Sequence, residues 1–463
     1  MLVILLNMAV GISLLREVYR VLVRQRPAWP RLRTRDVCVA LLCGVFIIHF
    51  GLSGITTSWD SKWSIHTALS IVREGNTDLD EYFPITQQFQ DHTVAQYWGH
   101  TYNLYPVGTS LLAVPVVWLV DKFMDAGWLL DTEQFLNEYR LIPSGIEKCA
   151  ASMIVALASV IVYLIGLRSG YRQTVSILVT LIFAFGTSAW STASRALWQH
   201  GPTMLMLALA LYLLIRAEHA PQRAYWAIRL LGLPLAFSFV IRPTNAISIA
   251  AFSVLVFLQY RKQFLAYCLW GMAVAVPFAL YSLHTYHTLL PPYYCAQGQL
   301  GGGVSAFFEA LAGTLISPSR GLFVFSPVLL FSMYGIILSL RTKPVKVLDK
   351  ALLWIMLLHW IVSALHPRWW AGHSYGPRYL SDMLPFLIYF LLPAIHRLRR
   401  VCQSWKRTML LILLIVSAGL SVGIHWRGAT SQDVYGWNAG PVNVDVQPAR
   451  VWDWRDPQFL RGF

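Results

Sequence analysis

Charge is scarce in this chain: 13% of its 463 residues are Asp, Glu, Lys or Arg, against 56% hydrophobic ones. A soluble domain could not hide that much apolar surface, so water is excluded as the main solvent and lipid takes its place. Acidic residues are scarcer than basic ones, 22 to 37. The six cysteines (38, 43, 149, 268, 295 and 402) form no CxxC and no disulfide framework, and only Cys295 falls clearly outside the apolar runs. There is no Gly-rich phosphate loop, HExxH helix or serine nucleophile elbow, so the chemistries those motifs serve lack a foothold. No repeat of fixed period and no low-complexity tract is visible.

What the chain has instead is long apolar runs. A bilayer core about 30 Å thick needs roughly 20 apolar residues per helix. Eleven crossings are expected, near 37–56, 146–167, 173–190, 201–216, 230–242, 243–260, 264–283, 321–340, 351–366, 379–395 and 408–426. The opening MLVILLNMAVGISLL is short for a span. It reads as a twelfth helix, an interfacial helix or a signal-like segment without a small-residue cleavage site after it. The expected fold is an all-α polytopic membrane protein with 11–12 transmembrane helices across 1–426.

The net charge of +15 is distributed unevenly. Alternate loops (REVYRVLVRQRPAWPRLRTR, RSGYR, RAEHAPQRAYWAIR, YRKQ, RTKPVKVLDK and HRLRRVCQSWKR) hold 23 of the 37 basic residues and, with Asp36 at the edge of the first, 4 acids. The rest of the chain holds 14 basic and 18 acidic residues. That is the positive-inside asymmetry of a membrane protein, and it makes nucleic acid a poor explanation for the charge. The basic loops are expected on the cytoplasmic side of a bacterial inner membrane. Three larger pieces are then expected outside: 57–145, 284–320 and a short tail, 427–463. Within the first, LYPVGTSLLAVPVVWLVDKF is apolar but interrupted by Pro106, Gly108 and Pro115, and a crossing there would invert every later loop. It reads as an interfacial helix. Just before it, Ile65, Ala68, Leu69 and Val72 have the spacing of an amphipathic helix resting on the membrane.

Polar residues gather at the outer helix ends, in SWDSKWSIH, GNTDLDEY, SRALWQH, IRPTN, SPSRGLF and RWWAGHSYGPRYLSD. Six chain-distant clusters at one level of a membrane suggest a shared cavity opening outward. Arginine grips phosphate through paired charged hydrogen bonds, and the aromatic and histidine residues suit a sugar-like face. Candidates for the cavity wall are Trp59, Lys62, Arg195, His200, His373, Tyr375 and Tyr379. Tryptophans at helix ends also form aromatic belts, and arginines there also snorkel to headgroups. Asp78, Asp80 and Glu81 could hold a divalent cation or simply form a solvated acidic face, and His66 and His100 are weaker candidates. Asp60 stands just past a long apolar helix, where a carboxylate loses hydration and suits the work of a general base. Arg378 starts a later span, where an anionic lipid headgroup would lie.

Together, WDSKWSIHTALSIVREGNTDL, YPVGTSLLAVP, SRALWQHGPTMLMLALALYLL, RPTN and YGPRYLSDMLPFL resemble the C-type (GT-C fold) integral membrane glycosyltransferases. The likeness is to the bacterial branch similar to protein O-mannosyltransferases and aminoarabinose lipid A transferases. The resemblance implies a hexosyl or pentosyl group carried on polyprenyl phosphate and passed to a glycan, lipid or protein acceptor on the non-cytoplasmic face. It implies Asp60 as base on the acceptor hydroxyl, Arg378 and Arg320 at the donor phosphate, and inversion at the anomeric carbon. Two positions differ from those relatives: Tyr105 replaces a lysine before Pro106, and Ser61 replaces a second acid after Asp60. The competing class is a transporter or flippase for an anionic or lipid-linked glycan, which needs charges at mid-bilayer and often two similar halves.

Overall fold

A computed structural model describes residues 32–54, 58–88, 93–127, 142–219, 224–296, 303–399 and 404–462. The segment 1–15 lies outside them. In chain order the main elements are α1 (Thr34–Leu52), α2 (Ser64–Arg73), β1 (Val94–Tyr97), β2 (His100–Asn103), α3 (Gly108–Asp125), α4 (Ile142–Arg168), α5 (Gln173–Phe185), α6 (His200–His219) and α7 (Ala224–Ile241). They continue with α8 (Ala246–Gln259), α9 (Arg261–Tyr286), α10 (Val304–Ile316), α11 (Leu330–Arg341), α12 (Val347–Ala364), α13 (Leu384–Leu398) and α14 (Ser404–Thr430). The architecture is that of an all-helical membrane protein, with one small hairpin.

Among the described residues, seven helical stretches are long and apolar enough to cross a membrane. They correspond to α1, α4, α6, α9, α12, α13 with its leading turn, and α14. Each coincides with an expected span. The other four expected spans fall on shorter apolar helices, α5, α7, α8 and α11. Proline explains two of these breaks. Pro243 cannot continue α7, which leaves Arg242 extended at φ −155° and ψ 125°, and Pro327 interrupts the run before α11. The apolar α10 falls inside what was expected to be a connecting segment, because 13 residues are too few to signal a span.

Burial sorts the helices. The most apolar windows of α6 and α13 are 83% buried, whereas that of α9 is 11% buried. The first pair forms the centre of the bundle, and α9 turns Leu265, Leu269, Trp270 and Leu280 outward, as a lipid-facing helix must. Close helix contact depends on glycine at several places, Gly335 and Gly108 among them. A methyl on Gly335 of α11 would collide with the Phe390 carbonyl of α13. A methyl on Gly108 would sit 2.7 Å from Val240 O, so the start of α3 touches the end of α7 only because that residue is glycine.

One expectation changes here. The apolar stripe of α2 does not rest on the membrane surface: Ile65, Ala68 and Leu69 are buried against Ala113 and Val117 of α3 and Ala150 and Ile154 of α4. The sequence spacing defines an apolar face but not its partner, and α3 runs beside it to supply one. Burying each large side chain contributes roughly 1.5–3 kcal/mol. Arg73, at the end of α2, locks the pair by donating Nε–H to Asp121 of α3 at 2.6 Å. The strands β1 and β2 pair antiparallel across a turn at Trp98 and Gly99, both with positive φ.

Candidate functional site

The stretch SWDSKWS folds as a tight turn after α1. The Ser61 N–H donates to Ser58 O at 3.2 Å, and the two serine hydroxyls lie 3.1 Å apart. Trp63 is buried and donates its indole N–H to Thr93 Oγ1 at 2.9 Å, so it anchors the turn rather than joining a surface belt. Trp59 points outward, 55% exposed, and Lys62 Nζ sits 5.0 Å from both indole rings. Neither Trp59 nor Lys62 is among the residues around the cavity that Asp60 faces.

That cavity holds about 380 Å³. Its wall includes Asp60, His200, Arg242, Tyr293, Arg378 and Tyr379, drawn from five separate stretches of the chain. Asp60 Oδ2 lies 2.9 Å from Arg378 Nη2, and Tyr105 donates its hydroxyl to Asp60 Oδ1 at 3.1 Å. Burial, and then the charge of Asp60, pushes the Tyr105 phenol well above the ordinary range, so it remains a hydrogen-bond donor. The same two causes raise Tyr293, whose hydroxyl accepts from Gln199 Nε2 at 3.3 Å.

Arg378 is presented by a sharp bend. Gly376 adopts φ +64°, and any side chain there would strike Phe325. The guanidinium lies over Trp198 at 4.7 Å and Tyr379 at 5.6 Å. Its Nε–H is buried and has no hydrogen-bond partner among the described residues, a condition that native interiors tolerate at few positions.

Beside this pair lies a second charged group. Asp382, with a side chain 1% exposed, meets Arg242 Nη1 at 2.5 Å and His200 Nδ1 at 2.7 Å. His359 approaches at 3.8 Å. In the sequence Asp382 closes the outer cluster RWWAGHSYGPRYLSD, where no role is assigned to it.

Arg195 and Arg320, both expected near the ligand, are instead buried structural clamps. Arg320 has five N–H donors, and five protein acceptors take them. Its Nε–H goes to Trp370 O at 2.6 Å, and Nη1 donates to Ser319 O at 2.7 Å and Gln458 Oε1 at 2.6 Å. The Nη2 group donates to Gly372 O at 3.1 Å and Asn438 Oδ1 at 2.7 Å. No donor is left for a phosphate. Arg195 donates Nε–H to Gly54 O at 3.1 Å and lies over the Tyr435 ring at 4.7 Å. Tyr375 is fully buried with its hydroxyl on Ile424 O at 2.7 Å, and His373 meets Asn443 Oδ1 at 3.0 Å on the tail. These four do not line the cavity. Arg320→Lys should therefore lower the unfolding temperature by several degrees while leaving any donor KM within about twofold, because an ammonium cannot satisfy a planar five-acceptor site. A raised donor KM at unchanged stability would restore the phosphate assignment.

The tail is a folded cap, not a loose end. Gln458 is fully buried; its Nε2 donates to Ser374 O at 2.8 Å and Val434 O at 3.0 Å, while its Oε1 accepts from Gly376 N–H at 3.2 Å. It thereby clamps the bend two residues before Arg378.

The acids of DLDEY sit apart from the cavity wall. Two sets could hold a cation: Asp78, Asp80 and His100, and Glu74, Asp78 and Glu81, each with ligand atoms within 4.8 Å of one another. Burial, then the charge of Asp80, raises Asp78, and burial raises Glu81. The hydrogen bond to Asp80 raises His100. His66, also in this region, is buried between the Trp63 and Tyr82 rings. No family model matches the chain, and no curated protein matches it.

Proposed function

We propose that this protein is a GT-C-type glycosyltransferase of the bacterial inner membrane, moving a sugar from polyprenyl phosphate to an acceptor hydroxyl on the outer face. The observation that carries the reading is the Asp60–Arg378 contact at the mouth of a cavity among membrane helices, with a buried Arg378 donor unmatched among the described residues. A carboxylate and a guanidinium at 2.9 Å are what the two halves of a glycosyl transfer need side by side. In the reaction, the donor phosphate takes over Arg378. Asp60, freed of its partner, accepts the proton of the acceptor hydroxyl as that oxygen attacks the anomeric carbon. The bond from that carbon to the phosphate oxygen breaks, its electron pair leaves with the phosphate, and Arg378 stabilises the charge that develops. Attack in line inverts the anomeric centre.

The charges of the cavity support an enzyme over a transporter. His200 opens α6, Arg242 follows the end of α7, and Arg378 and Asp382 precede α13. They stand at helix ends at one level, not midway along helices where a transported charge would be met. The basic-loop asymmetry supports placing that level outside. Mass spectrometry of membrane lipids tests the reading: cells lacking the protein should accumulate one polyprenyl-phosphate sugar and lose one glycoconjugate. An unchanged set of lipid-linked sugars would contradict it.

Because the acids 78, 80 and 81 do not line the cavity, chelation with EDTA should leave turnover within about twofold. A loss restored by added magnesium or manganese would give the acidic cluster a catalytic cation.

A further inference from the structure

We propose that His200 recognises a hydroxyl group of the sugar being transferred, and that Asp382 fixes the ring so that it can do so. The assignment rests on the glycosyl-transfer reading above and adds the part of the ligand that this histidine meets.

Asp382 is buried and paired with the Arg242 guanidinium at 2.5 Å, so its oxygens only accept. His200 Nδ1 lies 2.7 Å from Asp382 Oδ1, a separation that requires the ring hydrogen on Nδ1. Arg242 Nη1 is 2.8 Å from the same nitrogen and could donate to it only if Nδ1 were bare, but two bare acceptors would then face each other at 2.7 Å, and the Nη1 hydrogen has Asp382 Oδ2 at 2.5 Å to take it instead. A second positive charge on the ring would stand against this guanidinium, so the neutral imidazole is the form the arrangement accommodates. Neutral imidazole with a hydrogen on Nδ1 carries a bare lone pair on Nε2.

That lone pair has no hydrogen-bond partner among the described residues, and His200 belongs to the cavity wall. A phosphate oxygen would be repelled by it. A hydroxyl would donate to it, and the neighbouring hydroxyls of Tyr293 and Tyr379 suit the same polyhydroxyl face. His359 does not compete for the role: its Nε2 is held by Tyr379 O at 3.0 Å. The cavity thus divides into a phosphate end at Arg378 and a sugar-hydroxyl end at His200.

Two amide substitutions separate the two ring nitrogens. Asn places an N–H near Nδ1 and nothing at Nε2, whereas Gln places an amide near Nε2 and gives up the bond to Asp382. With reconstituted protein and the lipid-linked sugar extracted from the deletion strain, His200→Asn should raise the donor KM about tenfold with kcat within about twofold. His200→Gln should stay within about threefold of wild-type KM. Wild-type KM in a folded His200→Asn protein would overturn the assignment, since only the Asp382 bond would then matter. Should His200→Asn fail to fold, His200→Gln and His200→Leu make the comparison, and equal KM values for them would overturn it equally. Wild-type protein that releases no polyprenyl phosphate would instead refute the transferase reading itself, a result distinct from the other two.

Discussion

Asp60→Asn should lower sugar transfer by a factor of about 10²–10⁴, the range over which a positioned general base contributes. The change is nearly isosteric, and besides the base it removes the counter-charge that faces Arg378 at 2.9 Å. An Asn oxygen can still accept from the Tyr105 hydroxyl, now at 3.1 Å from Asp60, and the side chain is 29% exposed, so the fold loses little. What disappears is the capacity to take a proton, since an amide does not accept one near neutral pH. The unaided acceptor hydroxyl is then a poor nucleophile. The measurement is initial rate of polyprenyl phosphate release from reconstituted protein, with the unfolding temperature as a control. Turnover within threefold of wild type, at equal folded protein, would remove Asp60 as the base.

Arg378→Ala should cost about 10²–10³ in turnover, a range measured for losing one preorganised charge-stabilising donor. The substitution has two consequences at the same atoms. It removes the cation that meets the departing phosphate, and it leaves Asp60 as an uncompensated negative charge in the same cavity, which repels that phosphate. Arg378→Lys should recover less than tenfold of the loss. An ammonium keeps the charge but not the planar fork, and it stacks less well over Trp198 and Tyr379. The two sites touch, so Asp60→Ala combined with Arg378→Ala should cost far less than the sum of the separate changes. A strictly additive double variant would mean that the two groups do not serve one reaction.

Much of the helical frame was legible because apolar run length is a local property. The long helices announce themselves in this way, and the break at Pro243 falls between two expected spans, whereas the break at Pro327 lies inside the expected span 321–340. The α10 helix was not legible, since a 13-residue stretch interrupted by Ser305, Glu309 and Thr314 reads equally well as a connecting segment. Nor was the partner of the α2 stripe, because amphipathic spacing specifies a buried face without saying what buries it. The gathering of Asp60, Arg378, His200 and Tyr379 around one cavity follows the clustering of polar residues at helix ends. Arg320 and Arg195 show where such clustering misleads. Local sequence marks an arginine at a membrane interface as a ligand group. Four of the five acceptors that occupy Arg320 come from positions 50 to 138 residues away, on the 370–372 bend and the tail. Asp382 was missed for the opposite reason: its partners, His200 and Arg242, are 182 and 140 residues distant. A buried charge declares itself only when its counter-charges are in place.

The account stands on one event, breakage of the sugar–phosphate bond in the Asp60–Arg378 cavity. Protein in lipid nanodiscs, given the polyprenyl-phosphate sugar that accumulates without it and a membrane extract as acceptor source, can be followed by mass spectrometry. The prediction is that free polyprenyl phosphate appears in step with a glycosylated product, and that Asp60→Asn abolishes both. Donor that remains intact while folded wild-type protein binds it, or that crosses a bilayer unchanged, would contradict the account.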